Sequence, residues 1–259
     1  RPVRFMCLIL FRFRPQTAEP LLVAANRDEF HARTAAAARF WDDAPDILAG
    51  RDLVAGGTWL GCSRNGRFAA LTNFTQGDAT TFTKSRGELV QGFLAGSESI
   101  KDYALGIKAN EYAGYNLLLF DGNRLLYTTN VAQPDQPRSR LLPAGDYGLS
   151  NAELGANWPK CVDGAQRLGT LVDGQHSNQQ LIELLNDQAQ PNDNCLPHRA
   201  RTVEAERHLG SCFIKDSRYG TRASTVVRMS RTDIYFAEQT YLADGEVGPQ
   251  VVFEIDIRH

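Results

Sequence analysis

The decapeptide LLVAANRDEF, residues 21–30, begins as an apolar run and closes on Asn26, Arg27, Asp28 and Glu29. Consecutive charges at the end of a strand that buries its neighbours call for either a turn or a use. Cysteine is the other reactive type. Cys7, Cys62, Cys161, Cys195 and Cys212 are an odd, scattered set without a C-x-x-C pair, which argues against a disulfide framework and a zinc knuckle. The five histidines lack H-x-x-x-H spacing, and no G-x-G-x-x-G loop occurs, so neither a metal site nor a dinucleotide cradle has support. By residue type alone, Cys7 reads as a small hydrophobe in the first strand.

The elements that must position these residues can be read from local signals. MCLILFRF, residues 6–13, and EPLLVAAN form a hairpin with Pro15 in its connection. GGTWLGCSRNGRFAALTNF, residues 56–74, turns at Asn65 and Gly66, and YNLLLFDGNRLLYTTN, residues 115–130, at Asp121 to Asn123. Ser85 and Glu88 have capping-box spacing ahead of Leu89, Val90, Phe93 and Leu94, with Gly96 placed to end that helix. Ser99 and Asp102 start another. Residues 131–146 read as a surface loop before a short strand at YGLSN, and Pro159 as the first residue of a helix running to about Val172. Ser177 and Gln180 cap LIELLND, residues 186–198 read as a loop, and ASTVVRM, DIYFAEQ and VVFEIDI close the chain as a meander.

Blocks of hairpins and helices without βαβ alternation predict an α+β sandwich of antiparallel sheets covered by helices. One domain is expected over 259 residues, since no repeat or linker interrupts them. Lys plus Arg number 28 against 30 Asp plus Glu, so no basic field favours nucleic acid. No stretch reaches the roughly 20 apolar residues that span a bilayer, and no export signal is legible. A soluble protein with reduced thiols in the cytoplasm is expected.

MCLILF, AANRDEF, LAGRDLVAGGTWLG, GRFAALTNF, KSRGELV, YGLSNAELGANWPK and RYGTRASTVV together resemble the NRDE family, which includes the transport-and-Golgi-organisation proteins. That family in turn resembles the N-terminal-nucleophile hydrolases of the choloylglycine hydrolase and penicillin V acylase branch. The resemblance implies a four-layer αββα sandwich in which a cysteine exposed by loss of its methionine is the nucleophile. Its own α-amino group is then the base. Cys7 follows Met6 and takes that place; packing in strand one is the plainer reading. A thiol of ordinary pKa near 8.5 needs such a tethered base at neutral pH. The strand-end charges then mark a pocket, with the Asp28 carboxylate beside the amine of Cys7. By the same resemblance Asn73 and Asn151 are site amides, Asn151 serving the oxyanion, and Arg222 sets a guanidinium near the thiol. Each of these has a structural alternative, a turn residue or an ion pair. The branch has an arginine where this chain has Ala25, and Arg27 stands nearby on the same strand, with a salt bridge to a neighbouring carboxylate as its structural alternative. Asn26, Arg27, Trp59, Phe74 and His31 are candidate ligand contacts, His31 through haem iron or substrate, or else as a plain surface histidine.

Arg1 to Phe5 precede Met6, so the Cys7 nitrogen is an amide in this chain, and residues 1–5 are read as a leader or an added remnant. Two functions follow. One is a cysteine amidohydrolase or acyltransferase acting on an amide or thioester, with no cofactor required. The other is a carrier of a small amphipathic ligand, haem or acyl-CoA and lipids, which the resemblance implies through haem trafficking.

Overall fold

In the computed structural model, which describes residues 6–74, 82–131, 136–196 and 202–258, strand β1 (Cys7–Phe13) is buried on both faces. Ile9, Phe11 and Phe13 enter one cluster; Leu8 and Leu10 enter another. A strand covered on both sides has no polar face to alternate with, which is why MCLILF is continuously apolar. β2 (Leu21–Phe30) pairs with it antiparallel, setting Cys7 opposite Arg27 and Phe13 opposite Leu21.

β10 (Gly145–Leu149), β11 (Tyr219–Met229), β12 (Asp233–Tyr241) and β13 (Val247–Asp256) complete a six-stranded sheet, ordered β10-β1-β2-β11-β12-β13. The second sheet runs in chain order through β3 (Ala35–Phe40), β4 (Ile47–Asp52), β5 (Leu60–Ser63), β6 (Phe68–Asn73), β7 (Tyr115–Phe120), β8 (Leu125–Thr129) and β9 (Ser139–Leu141). Between them lies an aromatic-rich core including Phe11, Phe68, Phe120 and Phe236. Helices α1 (Gly87–Ala95) and α2 (Ile100–Gly106) pack Leu89, Phe93 and Ile100 onto the second sheet. Helices α3 (Pro159–Asp173), α4 (Asn178–Leu185) and α5 (Val203–Leu209) pack Leu168, Leu181 and Leu209 onto the first. The result is the expected α+β sandwich of helix, sheet, sheet and helix.

Several elements are absent from the sequence expectation. β3 is AAAARF, and alanine has little strand preference, so only its pairing with β4 makes it a strand. β9 forms inside the expected loop of 131–146 by pairing with β8; residues 132–135 of that loop lie outside the described residues. α5 follows the expected loop of 186–198, whose last two residues also lie outside them. α1 starts at Gly87 with Arg86 as its N-cap, and only half of the expected box forms, Glu88 Oε1 accepting the Ser85 N–H at 3.0 Å.

The α3 backbone crosses β10 at Gly148, where an added Cβ would lie 2.2 Å from the Cys161 carbonyl oxygen. Backbone cannot yield as a side-chain tip can. Gly148→Ala is therefore expected to cost at least about 2 kcal/mol by overpacking, read in denaturant unfolding; a loss below about 0.5 kcal/mol would show that α3 docks more loosely than described.

Candidate functional site

Cys7 stands in the wall of a cavity of about 630 Å³ lined from both sheets, within the range typical of small-molecule sites. Its backbone N–H donates to Asn151 Oδ1 at 2.8 Å, and its carbonyl accepts the Ser150 hydroxyl at 2.6 Å. Asn151 Nδ2 donates in turn to the Asn73 carbonyl at 2.7 Å. Behind them Thr72 Oγ1 donates to the Ser150 carbonyl at 2.5 Å, and Asn116 Nδ2 to the Ala152 carbonyl at 2.7 Å. The 150–152 loop is thus tied to Cys7 in one sheet and to Thr72, Asn73 and Asn116 in the other. These groups are largely buried, so each bond is costly to break.

Alternation along β2 separates two charges. Arg27, paired with Cys7, turns toward the cavity, 3.6 Å from Glu29 and 3.7 Å from Asp52. Asp28 turns its carboxylate toward the helix-covered side, where Thr221 Oγ1 donates to Oδ1 at 2.7 Å. Oδ2 accepts no hydrogen bond from a described residue. Burial pushes the Asp28 carboxyl up to about 7, against the opposing pull of Lys160, Thr221 and Arg27. Burial first, and the Asp28 charge second, push the Cys7 thiol up to about 12, while the Asp28 backbone N–H and Arg27 draw it down. Met6 is buried just ahead, its N–H on the Tyr219 hydroxyl, and that hydroxyl lies 3.3 Å from the carbonyl oxygens of both Met6 and Asp28.

Arg222 occupies a β-bulge: Thr221 faces Asp28 and Ala223 faces Arg27, leaving Arg222 as the extra residue. Its Nη1 donates to the carbonyls of Phe30 at 3.0 Å and Arg33 at 2.8 Å, pinning it along the end of β2. The bulge sets Arg222 at the end of β2. Arg222 lines the same cavity, but its charge bears on Arg27 and Glu29. The guanidiniums that bear on Cys7 belong to Arg27 and Arg86. Arg86 is missed by the sequence reading. It lines the cavity just before α1, with Nη1 on the Gly114 carbonyl at 3.0 Å, inside the KSRGELV stretch that helix capping already accounts for.

Trp59 and Asn73 line the cavity; Asn26, Phe74 and His31 are not among its described lining residues. Asn26 is consumed on the helix-covered side, donating to the Leu185 and Cys212 carbonyls at 2.9 and 2.8 Å and accepting from Ser224 Oγ at 2.6 Å. His31 Nε2 instead meets the Asp216 carbonyl at 3.1 Å. Those bonds place Asn26 and His31 away from the lining of the cavity that Cys7 shares. Among the described residues, no three His, Cys, Asp or Glu side chains gather to hold a metal ion, and no helix is long and apolar enough to cross a membrane.

This layered architecture is similar to that of penicillin V acylase from Agrobacterium tumefaciens, which superposes with a TM-score of 0.50 at 11% identity, covering 97% of this chain and 86% of that one. At that identity the likeness concerns the fold. The chain itself belongs to the Transport and Golgi organisation 2 family, whose model matches residues 6–243. It is 34% identical over 262 residues to the Bos taurus Transport and Golgi organization protein 2 homolog, covering 92% of this chain and 94% of that protein. The Drosophila melanogaster Transport and Golgi organization protein 2 is 28% identical, with 91% and 92% covered.

Asp28 yields a stability prediction whose sign follows from its two pKa values. The unfolded carboxyl titrates near 3.9 and the folded one near 7, so between them the folded chain holds a proton that the unfolded chain has released. Stability from the neutral carboxyl is complete below about 4 and is lost as pH rises through 7. Asp28→Asn should therefore stabilise the protein increasingly from pH 4 to pH 8, by up to about 4 kcal/mol; a difference from wild type that stays constant across that range would contradict the buried, charge-strained carboxylate.

Proposed function

We propose that the protein hydrolyses or transfers acyl groups from an amide or thioester, with Cys7 as nucleophile once Met6 has been removed. The observation that carries this is the Cys7 nitrogen, 2.8 Å from Asn151 Oδ1 in the wall of a cavity that Asp28 also lines. Freed of Met6, that nitrogen is an α-amine with an ordinary pKa near 7.7 to 8.0, tethered to the thiol it would deprotonate. Asp28 and the Asn151 oxygen hold its ammonium form, while Arg27 and Arg86 offset the thiolate.

In the first step the amine takes the Sγ proton and sulfur attacks the acyl carbon, whose carbonyl oxygen becomes the oxyanion. One Asn151 Nδ2 hydrogen is engaged by the Asn73 carbonyl, and its second, with no partner among the described residues, would serve that oxyanion, with Asn73 beside it. Collapse expels the leaving amine or thiol with the proton borrowed by the Cys7 amine. Water or an acceptor then attacks the thioester and regenerates the thiol. Trp59, Leu71, Phe82 and Ala223 supply apolar wall for an acyl chain.

A second reading is favoured by the thiol held near 12 while Met6 remains attached. In that state the cavity would carry an amphipathic ligand, haem or an acyl-CoA or lipid, without turning it over. We place either role in the cytoplasm, where the free cysteines stay reduced.

A chain starting at Cys7 and a chain retaining Met6 separate the two readings. Each is treated with a thiol-reactive β-lactone at neutral pH, and the acylated residue is located by mass spectrometry. The chain starting at Cys7 should acylate there at least about a hundredfold faster than the Met6 chain, as a general base contributes, and Asp28→Ala should slow it. Equal rates in the two chains, or equal labelling of the exposed Cys195, would leave carriage as the function.

A further inference from the structure

Away from Cys7, the cavity wall carries a carboxylate that the proposed chemistry does not use. Glu238 of β12 lines the cavity and is 4% exposed. Strand register fixes its place: Cys7 pairs with Arg27, Arg27 with Ala223 and Ala223 with Thr240, and Glu238 stands two residues before Thr240 on the same face. Three strand spacings and two residues along the strand set it roughly 16 Å from Cys7. Around it the side chains shrink. Ala36 and Ala37 of β3 and Gly50 of β4 line the cavity here, and a Cβ added to Gly50 would lie 3.4 Å from Glu238 Oε2. The alanine run that carries no strand signal thus leaves room in front of an acid.

Glu238 Oε1 accepts the Ala38 N–H at 2.7 Å, which ties β3 to the first sheet. That tie needs an acceptor and no charge, so glutamine would serve it as well. The charge is what lacks a structural use. Glu29 and Asp52, acids of the same cavity, are held by Arg27 and Arg33, whereas Glu238 forms no ion pair among the described residues, and a buried carboxylate without a cation is costly. Burial, the largest influence on it, pushes the Glu238 carboxyl above its ordinary range, and a cation beside it would draw it back. We propose that Glu238 is the binding group for an ammonium carried by the ligand, so that the cavity takes amphiphiles with a primary amine roughly 16 Å from the group that meets Cys7. The substrate class rests on the acyl-transfer reading, in which the acyl chain would end in an amine; the contact at Glu238 does not depend on turnover. Arg86 and Arg222 line the same cavity with carbonyls as their partners, so an anion is the competing ligand.

Titration calorimetry with decylammonium, decanol and decanoate, chains of equal length, separates an amine site from a plain apolar cavity and from an anion site. The wild-type chain should bind decylammonium at least about tenfold more tightly than either of the others, as a charge-assisted hydrogen bond contributes. Glu238→Gln, which keeps the acceptor for Ala38, should abolish that preference and leave decanol binding unchanged. A Glu238→Gln affinity for decylammonium within about twofold of wild type, or a wild-type chain that binds decanol or decanoate as tightly as the amine, would overturn the inference. If Glu238→Gln does not fold, a crystal structure of the wild-type chain with decylammonium decides: nitrogen within hydrogen-bond reach of Glu238 supports the site, and nitrogen at Glu29 or Asp52 overturns it. None of these probes can acylate Cys7. A Glu238-dependent preference in a chain whose Cys7 never acylates would therefore uphold the amine site and count against acyl transfer alone.

Discussion

One side-chain amide joins the two sheets at the point where chemistry is feasible. Asn151 accepts the N–H of Cys7 in the first sheet and donates to the carbonyl of Asn73 in the second. Neither bond survives a shift of one sheet against the other by more than a few tenths of an ångström. The Ser150 hydroxyl on the Cys7 carbonyl and the Thr72–Asn116 pair beneath the loop leave Asn151 little freedom. Cys7, Asn73, Asn151 and the cavity between them are therefore one rigid unit, set by the packing of Phe11, Phe68, Phe120 and their neighbours farther along the same interface.

On this rigid base the fold tolerates a costly electrostatic arrangement. Asp28 is buried with one oxygen idle, Lys160 is buried against an indole, and Cys7 is a thiol far from its ordinary pKa. Buried, incompletely paired ionisable groups of this kind lower stability and gather at functional sites. Alternation along β2 is the device that keeps them apart: Arg27 serves the cavity side, Asp28 the helix side, and the bulge at Arg222 lets β11 follow β2 past both.

The sequence made much of this legible, for reasons that differ from residue to residue. Hairpins were readable where a turn residue is required by backbone geometry, as at Gly66 and Gly122, both with positive φ. The charged end of β2 marked a pocket because charges cost too much to bury idly. β3 was not readable, since four alanines carry no strand signal and its identity comes from β4 alone. The bonds of Arg222 to the end of β2 were not readable, because a bulge shifts the two-residue period by one and leaves no mark in composition. Arg86 was hidden by its own helix signal. The burial of Lys160 was invisible because a lysine in the first turn of an amphipathic helix ordinarily faces water, and only the tertiary fold turns it onto the Leu209 carbonyl and the Trp158 ring.

The most direct test is a crystal structure of the chain beginning at Cys7 after exposure to a slow acyl donor. Density continuous with Cys7 Sγ, its carbonyl oxygen turned toward Asn151 and Asn73 and its chain along Trp59 and Leu71, is the predicted result. An unmodified Cys7 with the donor lying intact in the cavity, or acylation at another cysteine, would contradict the convergence of the two sheets on a nucleophile.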